Sequence, residues 1–153
     1  MTNTAAPTIS ISYRSIGYAA ASRLVSAAIA HAETKGWRVA AVVCDAGGHV
    51  VAAGRMDGAP STVADFALDK AYTAAMSGKS TRAFFERMSS SAELAMGLAN
   101  RPRLITWEGG MPIFETGSVI GGLGVSGAAG AEDVECAQHA LAALGDGAPP
   151  PAN

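Results

Sequence analysis

The chain has 153 residues and a formal net charge of −2, from 11 Lys and Arg against 13 Asp and Glu, with no run of like charge. That length implies one domain, with an ordered core over about residues 8–144 and a flexible tail over 145–153. The mixed charge argues against nucleic acid as a partner. The lack of a long charge-free apolar run argues against a membrane span.

The first ten residues, "MTNTAAPTIS", hold neither a basic n-region nor an apolar h-region, so the expectation is a cytoplasmic protein. Thr8–Ser12 alternates apolar and polar residues and reads as a short strand with Ile9 and Ile11 on one face. A helix is expected over about Tyr13–Lys35, with Ile16, Ala20, Leu24 and Ala28 on one stripe and Gly36 as its stop. "WRVAAVVCD" (Trp37–Asp45) reads as a central strand, and "HVVAAGRM" (His49–Met56) as its hairpin return across Ala46–Gly48. Ser61 is placed to cap a second helix over about Thr62–Ser77, ended by Gly78.

Ser80 or Thr81 caps a third helix with Phe84, Phe85 and Met88 on its apolar side, and Ala92–Ala99 continues in helical turns. Leu104–Trp107 reads as a short strand or an extended segment. Ile113–Glu115 and Ser118–Val125 form a second hairpin turning at Thr116-Gly117. A last helix is expected over about Ala131–Leu144, before a Pro149–Pro151 tail. The order β-α-β-β-α-α-β-β-α predicts an α+β domain with an antiparallel sheet. With 33 Ala and 18 Gly, the chain must pack its layers closely, and self-association is one way to bury more surface.

Gly122, Gly124 and Gly127 spell G-x-G-x-x-G inside "VIGGLGVSGAAGAEDVECAQHAL". A dinucleotide site would need a helix opening within those glycines and a further β-α-β unit. The helix-like run starts only near Glu132, and Glu132, Asp133 and Glu135 compete with a phosphate for the positive helix end. The glycines therefore read as a place where backbone passes close to other backbone. Cys44 and Cys136 lie in different elements and read as buried reduced thiols. No motif for a protein-built metal site occurs, and Ser126 has no base nearby to make it a nucleophile.

His31 and His139 lie on helices, His31 with no acid three or four residues away and His139 with Glu135 four residues before it, and both read as ordinary surface histidines. His49 starts a strand directly after Gly47-Gly48, at a sheet edge. Lys70 sits mid-helix with no acid at three or four residues' distance, on one stripe with Phe66, Thr73 and Ser77. Such a lysine either reaches out to water or points into a cleft to meet an anion. Arg55 and Asp57 end the first hairpin just before that helix. Arg55 offers a planar fork for a carboxylate, although an ordinary hairpin end looks the same.

Three separated stretches, "VVCDAGGHVVAAGRMDGAP", "ALDKAYTAA" and "GGMPI…GSVIGGLGVSG…EDVECAQHAL", resemble in order and spacing the GlcG/HbpS-like family. That family is sometimes labelled haem-degrading and is related to the C-terminal domain of PduO-type proteins. The resemblance spans about residues 8–144. It implies a profilin-like fold with a five-stranded antiparallel sheet flanked by helices, and a compact homo-oligomer, a tetramer or octamer. It implies haem or another planar anionic ligand as the bound molecule. The second reading is a cofactor-free enzyme of isomerase, lyase or hydrolase type, acting on a small oxo or hydroxy acid. In either case Arg55, Phe66, Lys70 and Thr73 are the expected binding residues. In an enzyme, Lys70, Asp57 and His49 are the expected catalytic groups.

Overall fold

The structure is a computed structural model that describes residues 7–145; the Pro149–Pro151 tail lies outside the described residues. Its elements are α1 (Tyr18–Lys35), β1 (Ala40–Asp45), β2 (Val50–Arg55), α2 (Thr62–Ser77), α3 (Thr81–Met88), α4 (Ala92–Leu98), β3 (Gly110–Glu115), β4 (Ser118–Ser126) and α5 (Gly130–Ala142). The sheet has four antiparallel strands in the order β2-β1-β4-β3. The expected α+β class and both hairpins are present, and the second turns at Thr116 and Gly117 with φ of 49° and 81°.

The five-stranded expectation is corrected. Thr8–Ser12 pairs with no strand, and α1 begins at Tyr18 rather than Tyr13. Alternation alone does not make a strand; a strand also needs a neighbour to take its backbone hydrogen bonds. Leu104–Trp107 likewise joins no sheet. Ser61 has helical dihedrals and makes no capping bond, whereas the Ser80 hydroxyl accepts from the Ala83 N–H as expected.

Two layers of helix enclose the sheet. On one face α1 and α5 pack through Leu24, Ala28, Cys136, Ala137 and Ala140 onto Val43, Leu123 and Val125. On the other face α2 lies over β1 and β4 through Ala67, Ala71 and Ala75. This second contact answers why β4 is so rich in glycine. A Cβ on Gly124 would lie 2.0 Å from the Ala67 carbonyl oxygen, and one on Gly122 would lie 2.1 Å from that of Ala71. The helix backbone rests directly on the strand. The small residues that suggested a phosphate loop are there to bring α2 down onto the sheet. That approach sets the depth of Lys70, which shares this helix.

Candidate functional site

Lys70 is 2% exposed although it carries a charge. Its position on α2 points it past the end of β4 toward the start of α5. There its Nζ donates to Asp133 Oδ2 at 2.8 Å and to the Val125 carbonyl oxygen at 2.9 Å. Asp133, also 2% exposed, stands in the first turn of α5, and its Oδ1 accepts from the Ala128 N–H at 3.0 Å. Burial pushes the Lys70 ammonium below its ordinary pKa and the Asp133 carboxyl above its own; each charge is offset by the other. The two acceptors recorded for Lys70 Nζ leave one of its three N–H donors over.

Both members of this pair line a cavity of about 830 Å³, within the range of roughly 300–1,000 Å³ usual for small-molecule sites. Phe66 of α2 forms one wall and meets Trp107 edge to face, with ring centroids 5.1 Å apart. Phe85 of α3 adds a third aromatic ring, half exposed like Trp107. The rim carries Arg82, whose guanidinium donates to Glu108 Oε1 at 2.7 Å and lies 3.4 Å from Glu86 Oε1. The lining thus holds two cations, Lys70 and Arg82, against three acids, Glu86, Glu108 and Asp133, and both cations are paired. It offers aromatic faces more freely than it offers free positive charge.

The expected site residues fall into separate places. Lys70 and Phe66 share the cavity. Thr73 is fully buried and is not among the lining residues. Its hydroxyl donates to the Arg103 carbonyl oxygen and accepts from the Ile105 N–H, fastening the segment that leads to Trp107. Arg55 is outside the lining, though at the same end of the sheet. It stands opposite Ala40, which stands opposite Ser126 of the cavity. Its guanidinium donates to the Ala59 carbonyl oxygen. The Asp57 side chain is on the exposed loop beyond, where its backbone carbonyl accepts from Arg38. His49 sits in the turn at the far end of β2, beside Asp45, one strand length away from that end.

Asp133, Arg82, Phe85, Trp107 and Glu108 were not singled out from the sequence as site residues. Asp133 is 63 positions from Lys70, so no local spacing could pair them. The surface histidines are also not solitary. His31 Nε2 lies 2.8 Å from Glu135 Oε1, and the ring stacks on His139 with centroids 4.2 Å apart. Among the described residues no group of three or more His, Cys, Asp or Glu side chains is placed to hold a metal ion. No helix among them is long and apolar enough to cross a membrane.

The model of a family described as haem degrading protein HbpS-like matches residues 16–142, nearly all of the folded chain. This chain belongs to the HbpS-like family. Among HbpS-like relatives, Protein GlcG of Escherichia coli (strain K12) is 37% identical over 106 residues, covering 69% of this chain and 77% of that protein. A crystal structure of a double mutant of Streptomyces reticuli HbpS superposes with a TM-score of 0.82 at 30% identity, covering 93% of this chain and 99% of that one. A crystal structure of a PduOC–haem complex superposes with a TM-score of 0.77 at 26% identity, covering 86% and 96%.

Haem therefore has to be tested against the residues this HbpS-like chain presents. The rings of Phe66, Phe85 and Trp107 suit the flat apolar body of a porphyrin. The donor set does not suit an axially held iron. Among the described residues no His, Cys, Met or Tyr lines the cavity, and the amine that does, Lys70 Nζ, is engaged by Asp133 and Val125.

Proposed function

We propose that this protein binds a small ligand with a flat, largely apolar body in the cavity between α2, α3 and the start of α5. The observation that carries this reading is the three-ring wall of Phe66, Phe85 and Trp107 above the buried Lys70–Asp133 pair. Haem is the candidate the family favours, and a porphyrin's face matches the wall. A propionate of such a ligand would meet the remaining N–H of Lys70 or displace an acid from Arg82. A small, highly charged organic acid suits the lining less, because acids there outnumber bases. Since the lining supplies no usual axial donor, haem and iron-free protoporphyrin should bind with affinities within about a factor of ten, roughly 1.4 kcal/mol. Optical titration of both is the test. Saturable binding of each, weakened about tenfold by Phe66→Ala, supports the reading. Only unsaturable association of both would end it.

A second reading, catalysis on a small oxo or hydroxy acid, is favoured by one observation. A lysine of lowered pKa and a carboxyl of raised pKa meet at 2.8 Å in a cavity, an arrangement suited to moving a proton. Proton exchange next to the carbonyl of 2-oxo acids, followed by NMR in deuterated water, would reveal it. Exchange no faster than in buffer would exclude that step.

A further inference from the structure

We propose that residues 7–13 form an arm that docks as an added strand on the β2 edge of a second copy of this chain. The arm is the most exposed apolar part of the described structure. Ile9, Ile11 and Tyr13 are 103%, 86% and 76% exposed. Their two-residue spacing puts all three on one face of an extended strand, and residues 7–13 carry no charge to repel a neighbouring edge. An extended seven-residue segment spans about 23 Å, enough to run the length of a six-residue strand.

The two edges of the sheet differ. β3 carries Pro112, which has no N–H to offer and blunts strand addition on that side. β2 has no proline, and its only charged residue is Arg55 at its end. Beside β2 a groove of about 590 Å³ runs under α1, with Val25, Ile29 and Val51 among its walls. Gly54 keeps its floor low, since a Cβ there would lie 2.8 Å from Ile29 Cδ1. Ile9 and Ile11 supply the apolar side chains that this groove lacks.

The arm does not reach that groove within its own chain. Its root is fastened where the Ile16 N–H donates to the Ile120 carbonyl oxygen and the Ala46 N–H donates to Ser15 Oγ. The Arg14–Glu115 ion pair then turns it toward β3, the opposite edge. A copy related by a two-fold axis can take the arm and return its own, so that both grooves are filled by one operation. Each sheet would then gain its fifth strand from its partner.

Two experiments test this. Chains carrying Ile11→Cys are mixed with chains carrying Ala52→Cys, whose side chain is on the α1 face of β2 that lines the groove, and oxidised gently. The native thiols Cys44 and Cys136 are fully buried and do not compete. A disulfide-linked pair of unlike chains is the expected product. A link that forms only in the doubly substituted chain, within a monomer, would overturn the proposal, as would no link at all. Sedimentation of the Ile9→Asp/Ile11→Asp variant should show half the wild-type mass or the 15.4 kDa of one chain, and the variant should stay folded by near-UV circular dichroism, because Ile9 and Ile11 are exposed in their own chain. A variant with wild-type mass would also overturn it.

Discussion

Lys70 of α2 and Asp133 of α5 meet at 2.8 Å with both side chains 3% exposed, so one ion pair joins the helix on one face of the sheet to the helix on the other. The link runs past the end of β4, where the Val125 carbonyl takes a second hydrogen bond from the same amine. Its energetic meaning differs from that of a surface pair. Desolvation opposes both charges, and mutual attraction holds them.

Removing one partner should therefore cost far more than removing both. Asp133→Asn leaves a buried ammonium without its counter-charge, and Lys70→Met leaves a buried carboxylate. Each should lose about 3–5 kcal/mol of stability. The double replacement Lys70→Met/Asp133→Leu should lose less than either. Urea denaturation of the three variants checks this, and additive losses would contradict it. Lys70→Ala would thus not leave the fold intact, as an unpaired or purely ligand-binding lysine would have done.

The Asp133→Asn variant should also respond to pH with a defined sign. Its Lys70 has lost the attraction that favoured the charged form, so its folded pKa falls further below the unfolded value. The penalty is complete below the folded pKa and fades as pH rises toward the unfolded lysine value of about 10.4. Relative to wild type, the variant should recover stability on moving from neutral to alkaline pH. Melts at pH 7 and pH 9.5 measure the difference, and an unchanged gap would count against burial as the cause.

Gly124 should tolerate no side chain. A single added methyl would sit 2.0 Å from the Ala67 carbonyl oxygen and 2.6 Å from the Ala71 nitrogen, both backbone atoms that cannot step aside alone. Gly124→Ala should cost about 3 kcal/mol or more, at or beyond the upper end of overpacking penalties. Gly97, with nothing within 4 Å, is the control, and there Ala should be neutral or stabilising because the residue is helical.

Both cysteines should be inert in the folded protein. Burial raises the thiol pKa of Cys44 and of Cys136 to about 11, and neither is accessible to solvent. Iodoacetamide at pH 8 should label neither until denaturant is added. Labelling of the native chain at a rate comparable to a free thiol would show local opening around β1 or α5.

Thr73 offers a milder perturbation of the cavity. Thr73→Val keeps the shape but strands the Ile105 N–H, at a cost of about 1–3 kcal/mol. Because that bond fastens the segment leading to Trp107, porphyrin affinity should fall although Thr73 touches no ligand. Equal affinity at full occupancy of the folded state would separate the segment's anchoring from binding.

The sequence by itself determined the two hairpins with their turns, the helices before, between and after them, the α+β class and the structural use of the β4 glycines. These depend on local periodicity, on turn residues and on the room a bare Cα leaves. It also singled out Phe66 and Lys70, because a lysine with no helical partner on an apolar stripe is unusual. Only the tertiary structure decided what that lysine meets. Asp133 comes to it from another helix, 63 residues along, and Arg82, Phe85, Trp107 and Glu108 arrive from further elements. Likewise His49 and Arg55 occupy opposite ends of one strand, so a shared hairpin in sequence did not make a shared site. The fate of Thr8–Ser12 was equally beyond the sequence. Alternation sets which side chains share a face, but a strand exists only where another backbone stands beside it to take its hydrogen bonds.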